Sequence, residues 1–263
     1  MITTTILWFT STMTTHTYKT KNLPPVFVVS LEESTDRRTN LYNQFKKYHI
    51  DNFKFCIYKR FAEYDWNITG MHVDRISHNS YGPTTSHILT NKYWTENTDY
   101  EYALVVEDDI DLSTIDLWNF QWDDLFNSLP EDWDCVQLSI MRENPDDLEF
   151  RIKQRYMHDF GCQIYLVKRH YAEKMADLYY RPDGFHLQIP TCWVTHSADE
   201  EEWLDLFPLV ENLVFEGIGK VYSLPLFCED LSHTQTTAIG VSVENFRIPC
   251  RNILINKIPD YVF

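Results

Sequence analysis

The residues best suited to chemistry are four acids that directly follow a short apolar stretch. Residues 102–106 are apolar and partly β-branched, as in a strand buried on both faces, and Glu107, Asp108, Asp109 and Asp111 come next. Side chains alternate along an extended chain, so Glu107, Asp109 and Asp111 share one face if the strand persists. Clustered carboxylates repel one another unless a cation lies between them. The pattern therefore predicts that Mg²⁺ or Mn²⁺ binds here and bridges to a phosphate-bearing substrate.

The same acids also fit a simpler interpretation. Asp-rich strand ends occur as solvated turns and as helix N-termini. Ser113 and Asp116 are placed to begin such a helix. The stretch alone leaves both interpretations open.

A second apolar run, residues 26–31, predicts another buried strand, followed by a polar loop and an amphipathic helix over residues 39–48. This is the first βα unit of a nucleotide-binding type of fold. Arg37 and Arg38, at the exit of the loop, are positioned to grip a diphosphate. The alternative is that both arginines pair with acids of the same loop.

A third candidate segment runs from Gly82 to His87. A Gly-Pro turn followed by threonines and Ser86 predicts a helix start, with the helix covering residues 88–95. Such an N-terminus presents free N–H groups to an anion, and His87 could contact the same ligand. A structural role for the histidine is the alternative.

The elements that position these residues alternate between strands and helices. Further strands are predicted at residues 53–58, 134–139, 161–167 and 221–224, and further helices at residues 170–180 and 197–213. This order predicts an α/β fold, a single-domain α/β/α sandwich with a mostly parallel sheet. In such open sheets, ligands bind at the carboxyl ends of the strands, where the acids lie.

Composition narrows the function classes. The chain has 263 residues, 44% hydrophobic and 15% aromatic, enough for a sizeable core. The formal net charge of −16 argues against general nucleic-acid binding. No stretch approaches a transmembrane helix, and the apolar patch at residues 6–9 is too short for a signal peptide. We expect a soluble cytoplasmic protein whose six scattered cysteines are free and buried.

Four blocks in one order, residues 28–38, 82–87, 104–109 and 160–174, together resemble glycosyltransferase family 25. This family contains the lipooligosaccharide and collagen galactosyltransferases. A weaker tail at residues 221–239 extends the similarity to most of the chain. There are departures: Ser30 stands where the family has Asn, Pro83 stands where it usually has Cys, and residues 181–196 look like an insertion.

The resemblance implies a GT-A-like fold and a metal-dependent hexosyltransferase. The donor would be a nucleoside diphosphate sugar, with UDP-galactose or UDP-glucose favoured, and the acceptor a hydroxyl of a glycan, a lipid-linked sugar or a protein. It implies Mn²⁺ or Mg²⁺ at Glu107, Asp109 and Asp111. The predicted donor contacts are Ser30, Leu31, Arg37, Arg38, Ser86, His87 and Asp108.

The family also has a later acidic position, to which Asp199 is aligned across the insertion. There it would act as the general base that deprotonates the acceptor hydroxyl. On the residues alone, the favoured interpretation of Asp199 is an acid in the first turn of a helix. We assign residues 1–22 to a flexible extension, 23–240 to the catalytic domain, and 241–263 to a C-terminal strand or strap.

Three rival functions fit parts of the sequence. A carbohydrate-binding or structural module that keeps a transferase fold without activity is the main alternative. A Mg²⁺-dependent phosphohydrolase would also use clustered aspartates, but needs further ligands that the sequence does not reveal. His72 and Asp74 resemble half of a non-haem iron motif, without an evident distal histidine.

Overall fold

The computed structural model describes residues 19–64, 66–70, 78–142, 144–187, 209–232 and 247–263. The strands in this part of the chain are β1 (Val26–Leu31), β2 (Phe53–Tyr58), β3 (Ile68–Thr69), β4 (Tyr102–Glu107), β5 (Ile110–Asp111), β6 (Cys135–Ser139), β7 (Lys153–Gln154), β8 (Ile164–Lys168), β9 (Tyr180–Arg181), β10 (Gly184–His186) and β11 (Val221–Glu229). The α-helices are α1 (Thr35–Lys47), α2 (His78–Asn97), α3 (Trp122–Ser128), α4 (Arg169–Tyr179), α5 (Leu209–Phe215) and α6 (Ile248–Lys257). Short 3₁₀ helices cover Phe61–Glu63, Leu112–Leu117, Pro145–Asp147 and Ile258–Asp260.

The central sheet is mixed but mostly parallel. Its order is β2-β1-β4-β8-β6-β11-β5, with β7 also paired to β11. The pairs β1/β2, β1/β4 and β6/β11 are parallel, whereas β8 runs antiparallel to both of its neighbours. The prediction of an α/β fold with a mostly parallel sheet is confirmed at this level. A second, three-stranded sheet has the order β3-β10-β9.

Apolar residues cover both faces of the central sheet, which explains the continuous apolar runs in the sequence. In β1, Val26 and Val28 belong to one core cluster and Phe27 and Val29 to the other. The first cluster takes side chains from α1, α3 and α6, and the second from α2, α4 and α5. Helices therefore pack on both faces, and β4 is buried between them up to the point where its acids begin.

Helix α2 differs from its predicted form. α2 begins at His78, upstream of the predicted start, and contains Pro83 within it. The hydroxyls of Thr85 and Ser86 bond to the carbonyls of Tyr81 and Pro83 one turn earlier, at 2.8 and 3.1 Å. Local hydroxyl bonds of this kind accompany a helix that continues past a proline. Gly82 and Pro83 therefore do not form the helix start that the sequence suggested.

The chain after residue 247 is helical, so of the two forms expected for the C-terminal segment, a strand or a strap, the strand is wrong. α6 and the 3₁₀ helix after it place Leu254, Ile258 and Tyr261 against the core. At the other end, residues 19–22 of the predicted extension are bound to the core. Thr20 Oγ1, for example, donates to the Tyr48 carbonyl at 2.8 Å. Residues 1–18 lie outside the described residues.

Two compositional predictions can be compared with the structure. The described cysteines, Cys56, Cys135, Cys162, Cys228 and Cys250, are all free and buried, as predicted. Cys192 lies outside the described residues. None of the helices in the described ranges has the length and apolar character needed to cross a bilayer.

Arg169 joins the two helices that support β4 on one face. Its guanidinium donates to the carbonyls of Thr95, Thr98 and Tyr100, at 2.7, 2.6 and 2.9 Å, so it satisfies groups at the end of α2. We expect Arg169→Met to lower the free energy of unfolding by about 2–4 kcal/mol, because these carbonyls lose a charged donor. Urea unfolding measures the change. Arg151→Met is the control, since Arg151 is 75% exposed; equal losses in both variants would contradict the assignment.

Candidate functional site

The acids that follow β4 lie on a turn. Strand pairing ends at Glu107, and Asp108 and Asp109 form the turn that leads into β5. The condition under which Glu107, Asp109 and Asp111 would share one face, a strand that persists beyond Glu107, is not met, because β4 ends at Glu107. We call Glu107, Asp108 and Asp109 the acidic turn. It lies at the carboxyl edge of the sheet, where ligands of open α/β folds bind.

Arg37, from the first turn of α1, is the cation nearest this turn. Its Nη1 lies 3.2 Å from Asp108 Oδ1 and 3.1 Å from Asp109 Oδ2. The Ser30 hydroxyl donates to the other oxygen of Asp108 at 2.6 Å. Burial alone would lower the pKa of Arg37, but Asp109 and Asp108 outweigh it, and the pKa is raised. Thus the sequence block 28–38 and the acidic turn meet in space.

Asp109 is the least compensated of the three acids. It is buried, and its Oδ1 has no hydrogen-bond partner in the described structure. Burial, together with the charges of Glu107 and Glu229, raises its pKa well above the usual range, although Arg37 opposes the shift. A buried carboxylate oxygen without a partner is costly. This atom has the chemistry that a divalent cation would satisfy.

Burial also raises the pKa of Asp108. The hydrogen bond from Ser30 and the charge of Arg37 oppose that rise. Both oxygens of Asp108 are engaged by these two residues. Asp108 therefore anchors Arg37 rather than presenting a vacant ligand atom.

Glu107 is held by a histidine from behind the strand. His87 Nε2 lies 3.0 Å from Glu107 Oε1, and the His87 side chain is fully buried. The Glu107 side chain retains 25% exposure. The structure therefore places the carboxylate, rather than the imidazole, at the surface of the site. His87 was predicted to contact the sugar donor directly. In this structure its ring has no exposed atom that could make such a contact.

Asp111 is turned to other partners. Its Oδ2 forms an ion pair with Arg251 of α6, and its Oδ1 accepts from the Ser113 backbone N–H at 2.8 Å. It thereby caps the 3₁₀ helix that follows. The simpler interpretation of these acids, as a helix N-terminus, is right for this residue.

A further acid, Glu229, was missed at the sequence level. β11 continues through Pro225 with a shift in register and ends at Glu229, which pairs with Ile110 of β5. The Asp230 N–H donates to the Asp109 carbonyl at 2.6 Å, which ties the two strand ends together. The signal was present: an apolar run ends in Glu229 and Asp230, as the run of β4 ends in acids.

The other predicted donor contacts have structural partners. Arg38 bonds to the Leu31 carbonyl, to the Ser30 hydroxyl at 2.9 Å and to the Glu32 carbonyl at 2.8 Å, so it braces the end of β1. Leu31 contributes that carbonyl and is partly exposed. Ser86 is buried within α2. Their contacts with a donor remain predictions.

Asp199, the predicted catalytic base, lies outside the described residues, as do His72 and Asp74. The insertion at residues 181–196 is described only as far as residue 187. The chain up to that point includes β9 and β10 of the small sheet.

A second missed acid, Glu211, lies in α5. It is buried, its Oε1 accepts from the Gly161 N–H at 2.9 Å, and its Oε2 has no partner among the described atoms. Gly161 has a φ of +109°, and a Cβ there would lie 2.8 Å from the Ser139 carbonyl oxygen, so only glycine suits this contact. Burial, aided by the charge of Glu107, raises the pKa of Glu211 to about 7.

The fit to a divalent cation can be judged from these positions. Within the described ranges, no group of three or more His, Cys, Asp or Glu side chains is arranged as a metal site. Mg²⁺ and similar ions are commonly held by one or two carboxylates plus substrate phosphates, without a complete protein cage. Asp109 has an oxygen without a hydrogen-bond partner, and Glu107 has a partly exposed carboxylate. These two residues could supply the one or two carboxylates that such an ion needs.

Comparison of the sequence with protein-family models gives no match, and comparison with curated proteins gives no significant match. The assignment of function therefore depends on the residues of the site.

Glu211 makes stability depend on pH in a defined direction. In the unfolded chain a glutamic acid loses its proton near its usual pKa, whereas folded Glu211 keeps it up to about pH 7. The folded state binds more protons in this window, so its stability falls as the pH rises. The free energy of unfolding of Glu211→Gln, relative to that of the wild type, should therefore increase by about 2–3 kcal/mol between about pH 5 and pH 8.

Urea unfolding of both proteins across this range measures the difference. Glu131→Gln is the control, since Glu131 is an exposed glutamate. Its unfolding free energy should keep a constant offset from that of the wild type. The same constant offset in Glu211→Gln would show that Glu211 ionises normally in the folded protein.

Proposed function

We propose that this protein is a glycosyltransferase that transfers a hexose, galactose or glucose, from a nucleoside diphosphate sugar to a hydroxyl group. The acceptor would be a glycan, a lipid-linked sugar or a protein. The transfer would be assisted by Mn²⁺ or Mg²⁺ held at Asp109 and Glu107. The resemblance to glycosyltransferase family 25 suggests the reaction, and the geometry of the acidic turn supports it.

The observation that carries the proposal is the state of Asp109. A buried carboxylate with an oxygen that has no partner lies at the carboxyl edge of the sheet, among other acids and beside Arg37. This arrangement is unfavourable in isolation and becomes favourable when a cation is added. Structural requirements alone would be met better by a neutral side chain at this position.

The residues around Asp109 suit a diphosphate leaving group. A divalent cation bound there supplies charge neutralisation for the departing diphosphate. Arg37 is attached to both aspartates of the turn, so its guanidinium is already located where a second positive charge would help. Ser30 departs from the family pattern, yet its hydroxyl donates to Asp108 and so supports the same turn.

The finer points of the proposal follow the resemblance. A GT-A-type fold is supported by the mostly parallel sheet with helices on both faces and by the position of the acids at its edge. Asp111 is the least favoured of the predicted metal ligands, because Arg251 and Ser113 engage it. Asp199 remains the predicted general base.

Binding of Mn²⁺ and nucleotide to the wild type and to Asp109→Asn tests the proposal directly. We expect Mn²⁺ with UDP to raise the thermal midpoint of the wild type, because a ligand that binds only the folded state stabilises it. The shift should be lost in Asp109→Asn, although that variant should be no less stable without metal, since repulsion within the turn is relieved. Parallel samples with GDP and CMP identify the preferred nucleotide.

Asp177→Asn is the matched control, because Asp177 is an exposed aspartate of α4; it should keep the full shift. Incubation of the wild type with UDP-galactose or UDP-glucose and a panel of acceptors then measures transfer. Absence of any metal-dependent shift in the wild type would overturn the proposal. A normal shift without transfer or sugar release would instead favour the inactive binding module.

A further inference from the structure

A chain of buried hydrogen bonds ends at the carboxylate of Glu107. Asn91 Nδ2 lies 2.7 Å from the Tyr165 hydroxyl, which lies 3.1 Å from His87 Nδ1. His87 Nε2 in turn lies 3.0 Å from Glu107 Oε1. We call Asn91, Tyr165 and His87 the relay. It joins α2 and β8 to the last residue of β4.

We propose that the relay makes His87 a positioning residue, which holds one oxygen of Glu107 so that the other faces the cation and the diphosphate. The metal-binding role of Glu107 in this inference rests on the proposed function. The directions of the hydrogen bonds do not depend on it. The sequence prediction had placed His87 in direct contact with a donor.

The direction of each bond follows from groups that can only donate or only accept. The indole N–H of Trp94 can only donate, and it lies 3.3 Å from Asn91 Oδ1, which fixes the orientation of the amide. Asn91 therefore directs its NH₂ group at the Tyr165 oxygen. The carboxylate of Glu107 accepts, so His87 carries its proton on Nε2. Nδ1 then accepts from the Tyr165 hydroxyl at 3.1 Å, and the Cys162 thiol lies farther from Nδ1, at 3.9 Å.

The relay is enclosed by protein. Trp94, Asn91, His87 and Tyr165 are all fully buried. The rings of His87 and Tyr165 stack, with centroids 5.7 Å apart. In so dry an environment each bond is strong, and each polar group is costly if it loses its partner. The imidazole thus has little freedom to turn or to adopt the other tautomer.

The effect on Glu107 is asymmetric. Oε1 accepts from His87, whereas Oε2 has no hydrogen-bond partner in the described part of the chain. With one oxygen restrained, the carboxylate keeps a single orientation, and its other oxygen is left for the cation. Histidines and carboxylates are often oriented in this way by partners behind them, and losing such a partner typically weakens metal binding by about 10–100-fold.

Three variants of the relay separate positioning from packing. Tyr165→Phe removes only the hydroxyl that fixes the tautomer. His87→Gln retains an N–H at the distance of Nε2, whereas the shorter amide of His87→Asn reaches only the position of Nδ1. Tyr171→Phe is the control, because the buried Tyr171 hydroxyl bonds to the Val214 carbonyl, away from the relay.

The measured quantity is the dissociation constant for Mn²⁺ alone, obtained by titration with detection of free Mn²⁺ by electron paramagnetic resonance. We expect a loss of about tenfold or more in His87→Asn and Tyr165→Phe, and values within about threefold of wild type in His87→Gln and Tyr171→Phe. Urea unfolding confirms that each variant is folded. Equal Mn²⁺ affinity in His87→Asn and His87→Gln, or in the two tyrosine variants, would overturn the positioning role.

A second measurement needs no metal. Nitrogen-15 NMR of labelled histidine distinguishes the two neutral tautomers of His87 at about pH 8.5. We expect the Nε2–H form in the wild type and a mixture in Tyr165→Phe. If the wild type shows this tautomer but does not bind Mn²⁺, the proposed metal function fails and the relay stands. If the wild type shows the Nδ1–H form, the relay itself is wrong.

Discussion

The arrangement of this protein depends on placing three consecutive carboxylates at the end of one buried strand. β4 is covered on both faces, so Asp108 and Asp109 are buried where the chain leaves the core, and the Glu107 side chain keeps only 25% exposure. Repulsion among them and their lost hydration both oppose folding. Each acid must therefore be matched by a partner from another element.

The partners reach the turn from separate directions. α1 brings Arg37, the end of β1 brings Ser30, α2 brings His87, and β11 brings the backbone of Asp230 through its pairing with β5. Because parallel strands end at one edge, a sheet of this type collects loops and helix starts at a single place. The site is therefore a product of topology, and its parts are far apart in the sequence.

Much of this fold could be predicted because the buried strands are continuous apolar runs, as Val26–Leu31 and Tyr102–Glu107 show. Two features could not be predicted from local pattern. Strand pairing stops at Glu107 although the alternation of residues continues, and a helix passes through Pro83 although proline usually ends one. Glu229 differs from these, because an apolar run that ends in acids marked it in the sequence. It was missed because the strand continues through Pro225 with a shift in register.

The three carboxylates have unequal hydrogen-bond and charge partners. The difference indicates where an added positive charge is needed. Glu107 has the imidazole of His87 on one oxygen, and Asp108 has a hydroxyl and a guanidinium. Asp109 shares the same guanidinium nitrogen, Arg37 Nη1, with Asp108. An arginine that binds two carboxylates through one nitrogen gives neither of them the two-bond fork that makes such pairs strong. The charge of the turn therefore remains incompletely neutralised at Asp109, and the position of that deficit, beside the exposed carboxylate of Glu107, is the physical basis for expecting a cation there.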